Sequence, residues 1–231
     1  MIIGFDIISD LNLSEGDSFD WDGKATSLYC IVPGNISDNI EVLKNTLITL
    51  SKYYQGVFFI DGSLEHPTIK NRSTRCREID RLCRSIKNVV YLHDNVVVVE
   101  GIGLVGANGW FGNYDPEDTL SEIELQVAGY EDTAYLGSTV KKLQLHNDVS
   151  KIIMITNSVP STKLFYSEIP KTYNHSLLTD SLIVDTENKV THWIFANTEK
   201  IIDTTFDSIN YLNNPCFNRN PYYARRIDIE Y

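Results

Sequence analysis

Short apolar, largely β-branched runs recur along the chain at Ile2–Ile8, Leu28–Val32, Val57–Ile60, Val89–Leu92, Val96–Val99 and Ile152–Thr156, then at Leu182–Val184, His192–Phe195, Ile201–Phe206, Ile209–Leu212 and Arg226–Ile229. Runs that stay apolar, without alternating, fit strands buried on both faces. Between some of them the apolar period lengthens to that of a helix. Ser37–Ser51 opens with Ser37-Asp38 as a cap and carries Ile40, Val42, Leu43, Leu47 and Leu50 as one stripe. Ser73–Ile86 places Ile79, Leu82, Cys83 and Ile86 on one face, with Arg and Glu opposite. A third helix is predicted after Asp115-Pro116-Glu117-Asp118, carrying Leu120, Ile123, Leu125 and Val127.

This order, helix-bearing early and strand-rich later, predicts an α/β fold: a four-layer αββα sandwich of two mixed β-sheets flanked by helices. No repeat, low-complexity run or linker interrupts it. Residues 1–231 read as a single domain, with an acidic helical insertion over one edge at about 111–147.

Composition narrows the function. The 231 residues carry 20 Lys+Arg against 31 Asp+Glu, a net charge of −11. That balance argues against a broad nucleic-acid footprint and against an anionic membrane surface. No apolar run is long enough to span a bilayer. The N-terminal Met1-Ile2-Ile3-Gly4-Phe5-Asp6 has no basic segment and reads as a strand, so a cytoplasmic location is expected. Cys30, Cys76, Cys83 and Cys216 form no CxxC pair; reduced, mostly buried thiols are expected. Asn is abundant (19) and Ala scarce (6), a bias that accompanies AT-rich genomes such as those of a phage or a low-GC bacterium.

Polar clusters close several of the predicted strands, where α/β folds build their sites. They are Ser9-Asp10-Leu11-Asn12-Leu13, Pro33-Gly34-Asn35-Ile36-Ser37-Asp38, Asp61-Gly62-Ser63-Leu64-Glu65-His66, Thr156-Asn157-Ser158-Val159-Pro160 and Trp193-Ile194-Phe195-Ala196-Asn197-Thr198-Glu199. In this order they resemble the motifs of the calcineurin-like metallophosphoesterases: S-D-x-H-L, G-D-x-x-D, G-N-H-[DE], an apolar strand ending in H-x-x-P, and G-H-T-H. Gly106-Ala107-Asn108-Gly109-Trp110 resembles that family's G-x-x-G-W turn. His192-Trp193 precedes the last motif as in the family, and Asn213-Asn214-Pro215 before a final strand resembles its closing segment.

The resemblance implies a pocket for two divalent metals bridged by a carboxylate and a water, which lower the water's pKa and neutralise charge in the transition state. The chain departs from that pattern at nearly every ligand. Asp10 keeps the first carboxylate. Asn12 stands at the first His and Asn35 at the bridging Asp. Ser63 and Leu64 replace Asn-His, although Gly62 and Glu65 remain. Asn157 replaces the next His, and Asn197 and Glu199 replace both histidines of the last motif, with Ala196 for its Gly and Thr198 retained. An Asn carbonyl is a weak neutral ligand, and Leu64 cannot ligate at all. Asp10 and Glu199 are the carboxylates left at ligand positions. Shifting the register to promote His66 leaves the bridging position without its carboxylate.

The expected protein is therefore a catalytically inactive metallophosphoesterase-like chain, without cofactor, acting by binding a protein partner. Asp10, Asn12, Asn35, Ser63, Leu64, Asn157, Asn197 and Glu199 are its vestigial site positions. Asn12, Asn35, Asn157 and Asn197 are expected to form a polar network around Asp10, because Asn both donates and accepts. The alternatives are an active or single-metal hydrolase using Mn or another divalent metal, and a nucleotide- or phosphate-sensing module. His66, His93, His146 and His175 show no metal-ligand spacing. Gly101–Gly106 spells G-x-G-x-x-G, but no helix is predicted after it, which excludes a dinucleotide site. Arg72, Arg75, Arg77, Arg81 and Arg84 form either a solvated helix face or a docking patch for an acidic partner. Three Arg among Tyr in the 214–226 tail would suit stacking on a base or a protein surface.

Overall fold

The computed structural model describes residues 2–66, 69–110, 119–164, 183–217 and 221–231. Strands β1 (Ile2–Ile7), β2 (Tyr29–Val32), β3 (Gly56–Phe59) and β4 (Val89–Tyr91) run parallel. The last strand, β11 (Arg225–Glu230), pairs antiparallel with β1, so this sheet has the order β11-β1-β2-β3-β4. The second sheet holds β5 (Asn95–Val99), β6 (Ile102–Ala107), β7 (Lys151–Thr156), β8 (Val190–Ile194), β9 (Asp203–Phe206) and β10 (Ile209–Leu212), in the order β5-β6-β7-β8-β10-β9. Its inner four strands are parallel, and β5 and β9 pair antiparallel at the edges.

Three cores give the layering. Ile3, Phe5, Ile7, Ile31 and Phe58 of the first sheet meet Leu104, Ile153, Ile155, Ile194 and Leu212 of the second between the sheets. Leu43, Leu47 and Leu50 of α1 (Ile40–Ser51), with Ile79 and Cys83 of α2 (Arg72–Arg84), cover the outer face of the first sheet. Leu136, Val140 and Leu143 of α3 (Thr119–Leu143) cover the second. The fold is the expected α/β sandwich of two mixed sheets.

Local differences have local causes. Helix α1 is capped by Asn39, whose Oδ1 accepts from Glu41 N at 2.9 Å and Val42 N at 3.3 Å. Ser37 instead donates its hydroxyl to Leu13 O at 2.7 Å, tying the first two polar loops together. Strand β6 lies within the glycine-rich run that showed no strand pattern. Its Gly106 leaves room for the opposing sheet: a Cβ there would lie 2.6 Å from Leu92 Cβ. Glu100 and Gly101, both at positive φ, form the two-residue turn that pairs β5 with β6.

Between 119 and 143 the expected insertion is a 25-residue helix whose later half is core. Ile123 and Val127, expected on its apolar stripe, are exposed, while Leu125 and Ala128 are buried. Phe111–Asp118, with the expected helix start, lie outside the described residues, as do Leu182, His175 and Arg219. Val184 and Ile201 lie outside strands. Among the described residues no helix is long and apolar enough to cross a membrane.

Candidate functional site

Asp10, Asn35, Ser63, Leu64, Asn157 and Asn197 follow the carboxyl ends of β1, β2, β3, β7 and β8, and the two sheets bring them to one place. Asp10, Asn12, Asn35 and Asn197 all have φ between 49° and 59°. Asp and Asn tolerate this left-handed backbone better than other non-glycine residues. The sharp turns of these loops, which aim Asp10 and Asn35 inward, thus favour the residues found there.

The cluster is closed by hydrogen bonds. Asn35 Nδ2 donates to Asp10 Oδ1 at 2.9 Å, and Asn35 Oδ1 accepts from Leu64 N at 3.1 Å. Asn197 N donates to the same Asp10 oxygen at 2.9 Å, and Ser9 Oγ donates to Asp10 Oδ2 at 2.9 Å. Asn157 spans the other side, donating to Pro33 O at 2.8 Å and accepting from Ser63 N at 3.2 Å. Burial pushes the Asp10 carboxyl up to about 6, against the lowering effect of the Asn35, Asn197 and Ser9 donors. Gly62 is required where these chains converge: a Cβ there would sit 2.3 Å from Asn35 Oδ1 and 2.4 Å from Asn157 Nδ2.

Glu65 is fully buried and accepts from four backbone N–H groups, those of Gly62 and Ile36 at 2.6 Å, Asn35 at 3.0 Å and Ser37 at 3.1 Å. Burial raises its pKa and these donors oppose the rise. Its role is to clamp the Asn35 loop onto the Gly62 loop. Arg75 braces the same region, donating to Glu65 O at 2.9 Å and Asp38 O at 2.7 Å.

These residues do not fit a pair of divalent metals. The Asn35 amide presents an N–H to Asp10 where a bridging carboxylate would be needed, and both polar ends of the Asn157 side chain are engaged. Leu64 offers no donor atom, and Glu65 faces backbone N–H groups. Two expected members stand apart. Asn12 joins through its backbone N–H to Asn35 O at 3.0 Å, but the residue is exposed. Glu199 is exposed too, so its carboxylate adds nothing to the buried cluster.

The other polar features are largely taken up by the fold. Arg72 pairs with Glu131 at 3.0 Å and lies 5.2 Å over the Trp110 ring, and Arg84 pairs with Asp80 at 2.9 Å. In the tail, Asn214 Nδ2 donates to Ile7 O and Tyr223 O, both at 2.9 Å. Arg225 donates to Ile202 O at 2.9 Å and Asn213 O at 3.1 Å.

A second cluster, which motif matching does not reveal, lies behind the first. Asp61, fully buried after β3, accepts a hydrogen bond from His66 Nε2 and faces His93 Nδ1 at 3.3 Å. Cys76 Sγ on α2 is 3.7 Å from His93 Nε2 and 4.0 Å from Asp61 Oδ2. Trp110 covers both imidazoles, its ring 4.7 Å from His66 and 5.9 Å from His93. Burial opposes ionisation of Asp61, but His93 and His66 hold it well below the usual carboxylate range. Burial would lower both imidazoles, and Asp61 reverses this, raising His66 to about 9 and His93 well above its usual value. Burial would raise the Cys76 thiol, and the two histidines instead bring it down to about 7. Asp61 and His66 share the loop after β3, while Cys76 comes from α2 and His93 from just after β4, so no single local spacing marks the set. The signal available was helical: Cys76, Ile79 and Cys83 share one inward stripe of α2.

No family profile matches the sequence, and no curated protein matches it. Solved structures do share the fold. The phosphopantetheinyl hydrolase of Mycobacterium tuberculosis superposes with a TM-score of 0.67 at 13% identity, over 96% of this chain and 95% of that one. A Staphylococcus aureus protein assigned as a 5'-nucleotidase, solved with α-ketoglutarate, gives a TM-score of 0.59 at 10% identity, over 100% of this chain and 51% of that one. The chain thus shares the two-sheet α/β fold of these two structures.

Proposed function

We propose that this chain keeps a phosphoesterase-like fold, has given up two-metal hydrolysis, and acts by binding a protein partner. The observation that carries the reading is the Asn35 amide, which donates to Asp10 at 2.9 Å from the position where the resemblance requires a bridging carboxylate. A two-metal mechanism needs negative charge there to hold both cations and activate a water. An amide supplies none, and no histidine occupies an aligned ligand position. The Asn-rich composition fits a compact phage genome, in which an enzyme fold reused as a binding part is economical.

Hydrolysis of bis(4-nitrophenyl) phosphate with added Mn²⁺ tests this reading. The expected rate equals that without protein and is unchanged by Asp10→Asn. Mn²⁺-dependent turnover abolished by Asp10→Asn would establish an active hydrolase instead.

A further inference from the structure

The geometry points to a divalent-cation site of the zinc class on Asp61, His66 and Cys76, with His93 at its edge and Trp110 as its lid. One carboxylate oxygen, one imidazole nitrogen and one thiol sulfur lie within 4.8 Å of one another. Thiolate and imidazole together select zinc-like ions over Mg²⁺ or Ca²⁺. Two ligands of one tetrahedral zinc, at about 2.3 Å for sulfur and 2.0–2.1 Å for nitrogen, lie roughly 3.6 Å apart. Cys76 Sγ and His93 Nε2 are separated by 3.7 Å, and Cys76 Sγ and Asp61 Oδ2 by 4.0 Å.

Hydrogen bonding within the cluster is incomplete, and this is the second, independent indication. Among the described residues, Asp61 Oδ1, His66 Nδ1, His93 Nδ1, Tyr91 OH and Trp110 Nε1 are buried and make no hydrogen bond. Asp61 Oδ1 and His93 Nδ1 are 3.3 Å apart yet not aligned as donor and acceptor. Buried polar atoms in native proteins nearly always find partners, and His66 Nδ1, Tyr91 OH and Trp110 Nε1, beside the off-line Asp61–His93 pair, call for an ion or a ligand. Entry of the cation would displace the proton shared by His66 and Asp61 and the Cys76 thiol proton, both released to solvent. The site is separate from Asp10 and Asn35: Asp61 turns its side chain toward α2 and His93, while the next residue, Gly62, packs against Asn35.

Titration of the reduced protein with Co²⁺, followed in the near ultraviolet and visible, tests the site without any assay of activity. The expected result is one equivalent bound with a thiolate-to-cobalt charge-transfer band, reversed by Zn²⁺. Affinity should fall at least about tenfold in Cys76→Ser and in His66→Gln, and should be unchanged in Asp10→Asn. Absence of the band with Co²⁺ in excess, or binding that Cys76→Ser leaves intact, would overturn the inference. The wild-type spectrum decides even if a variant fails to fold. Neither outcome bears on phosphodiester hydrolysis, so this site and the proposed loss of catalysis fail independently.

Discussion

The side-chain amide of Asn35 lies between Asp10 and the backbone of Leu64, donating to the carboxylate at 2.9 Å and accepting from the Leu64 N–H at 3.1 Å. One residue thus satisfies a buried charge on β1's loop and an orphan donor on β3's loop. The structural role of the cluster follows from that pairing.

Asn35→Gly keeps the left-handed backbone available and deletes both bonds, whereas Asn35→Leu also forces a larger side chain into φ 58°. The glycine variant should lose roughly 1–3 kcal/mol, the cost of leaving buried partners unpaired, and the leucine variant more. Urea denaturation reads both.

Asp10 gives a pH dependence of defined sign. Its folded pKa of about 6 is raised, so the native state holds a proton that the unfolded chain releases at lower pH. Stability from this group falls as pH rises from about 4 to about 6. Asp10→Asn removes the effect, since an amide can donate to Ser9 Oγ. The variant should gain on the parent through that window, by up to about 3 kcal/mol, and hold a constant advantage above it. Denaturation at about pH 4 and about pH 7 brackets that window.

Glu65→Gln tests the clamp. Each carboxylate oxygen takes two backbone N–H groups, and an amide would turn its own N–H groups toward one of these pairs. A loss of several kcal/mol is expected, at about 1–3 for each donor left unpaired. Amide exchange at Asn35 and Gly62 should accelerate.

Adding a single methyl probes the same convergence. Gly62→Ala would place a Cβ 2.3 Å from Asn35 Oδ1. Overpacking of this kind costs about 1–3 kcal/mol, which the thermal midpoint would show.

Much of this was legible in the chain because strand ends and polar clusters are local. Asp10, Asn35, Asn157 and Asn197 stand directly after apolar runs, and in a parallel sandwich such positions converge. Asn12 and Glu199 were not separable from them by letter alone, since exposure depends on how each loop turns. Strand β6 was hidden because close packing selects Gly103 and Gly106, which carry no strand pattern. The Asp61, His66, Cys76 and His93 cluster was hidden for a different reason: its members come from a loop, a helix and the end of β4, and only tertiary packing unites them.

On the proposed reading, Asn35 stands where a bridging carboxylate would lie and no two-metal centre forms beside Asp10. Anomalous diffraction from crystals soaked in Mn²⁺ tests it most directly. No Mn²⁺ peak is expected within coordination distance of Asp10, Asn35 or Asn157. Two peaks bridged at Asn35 would contradict it.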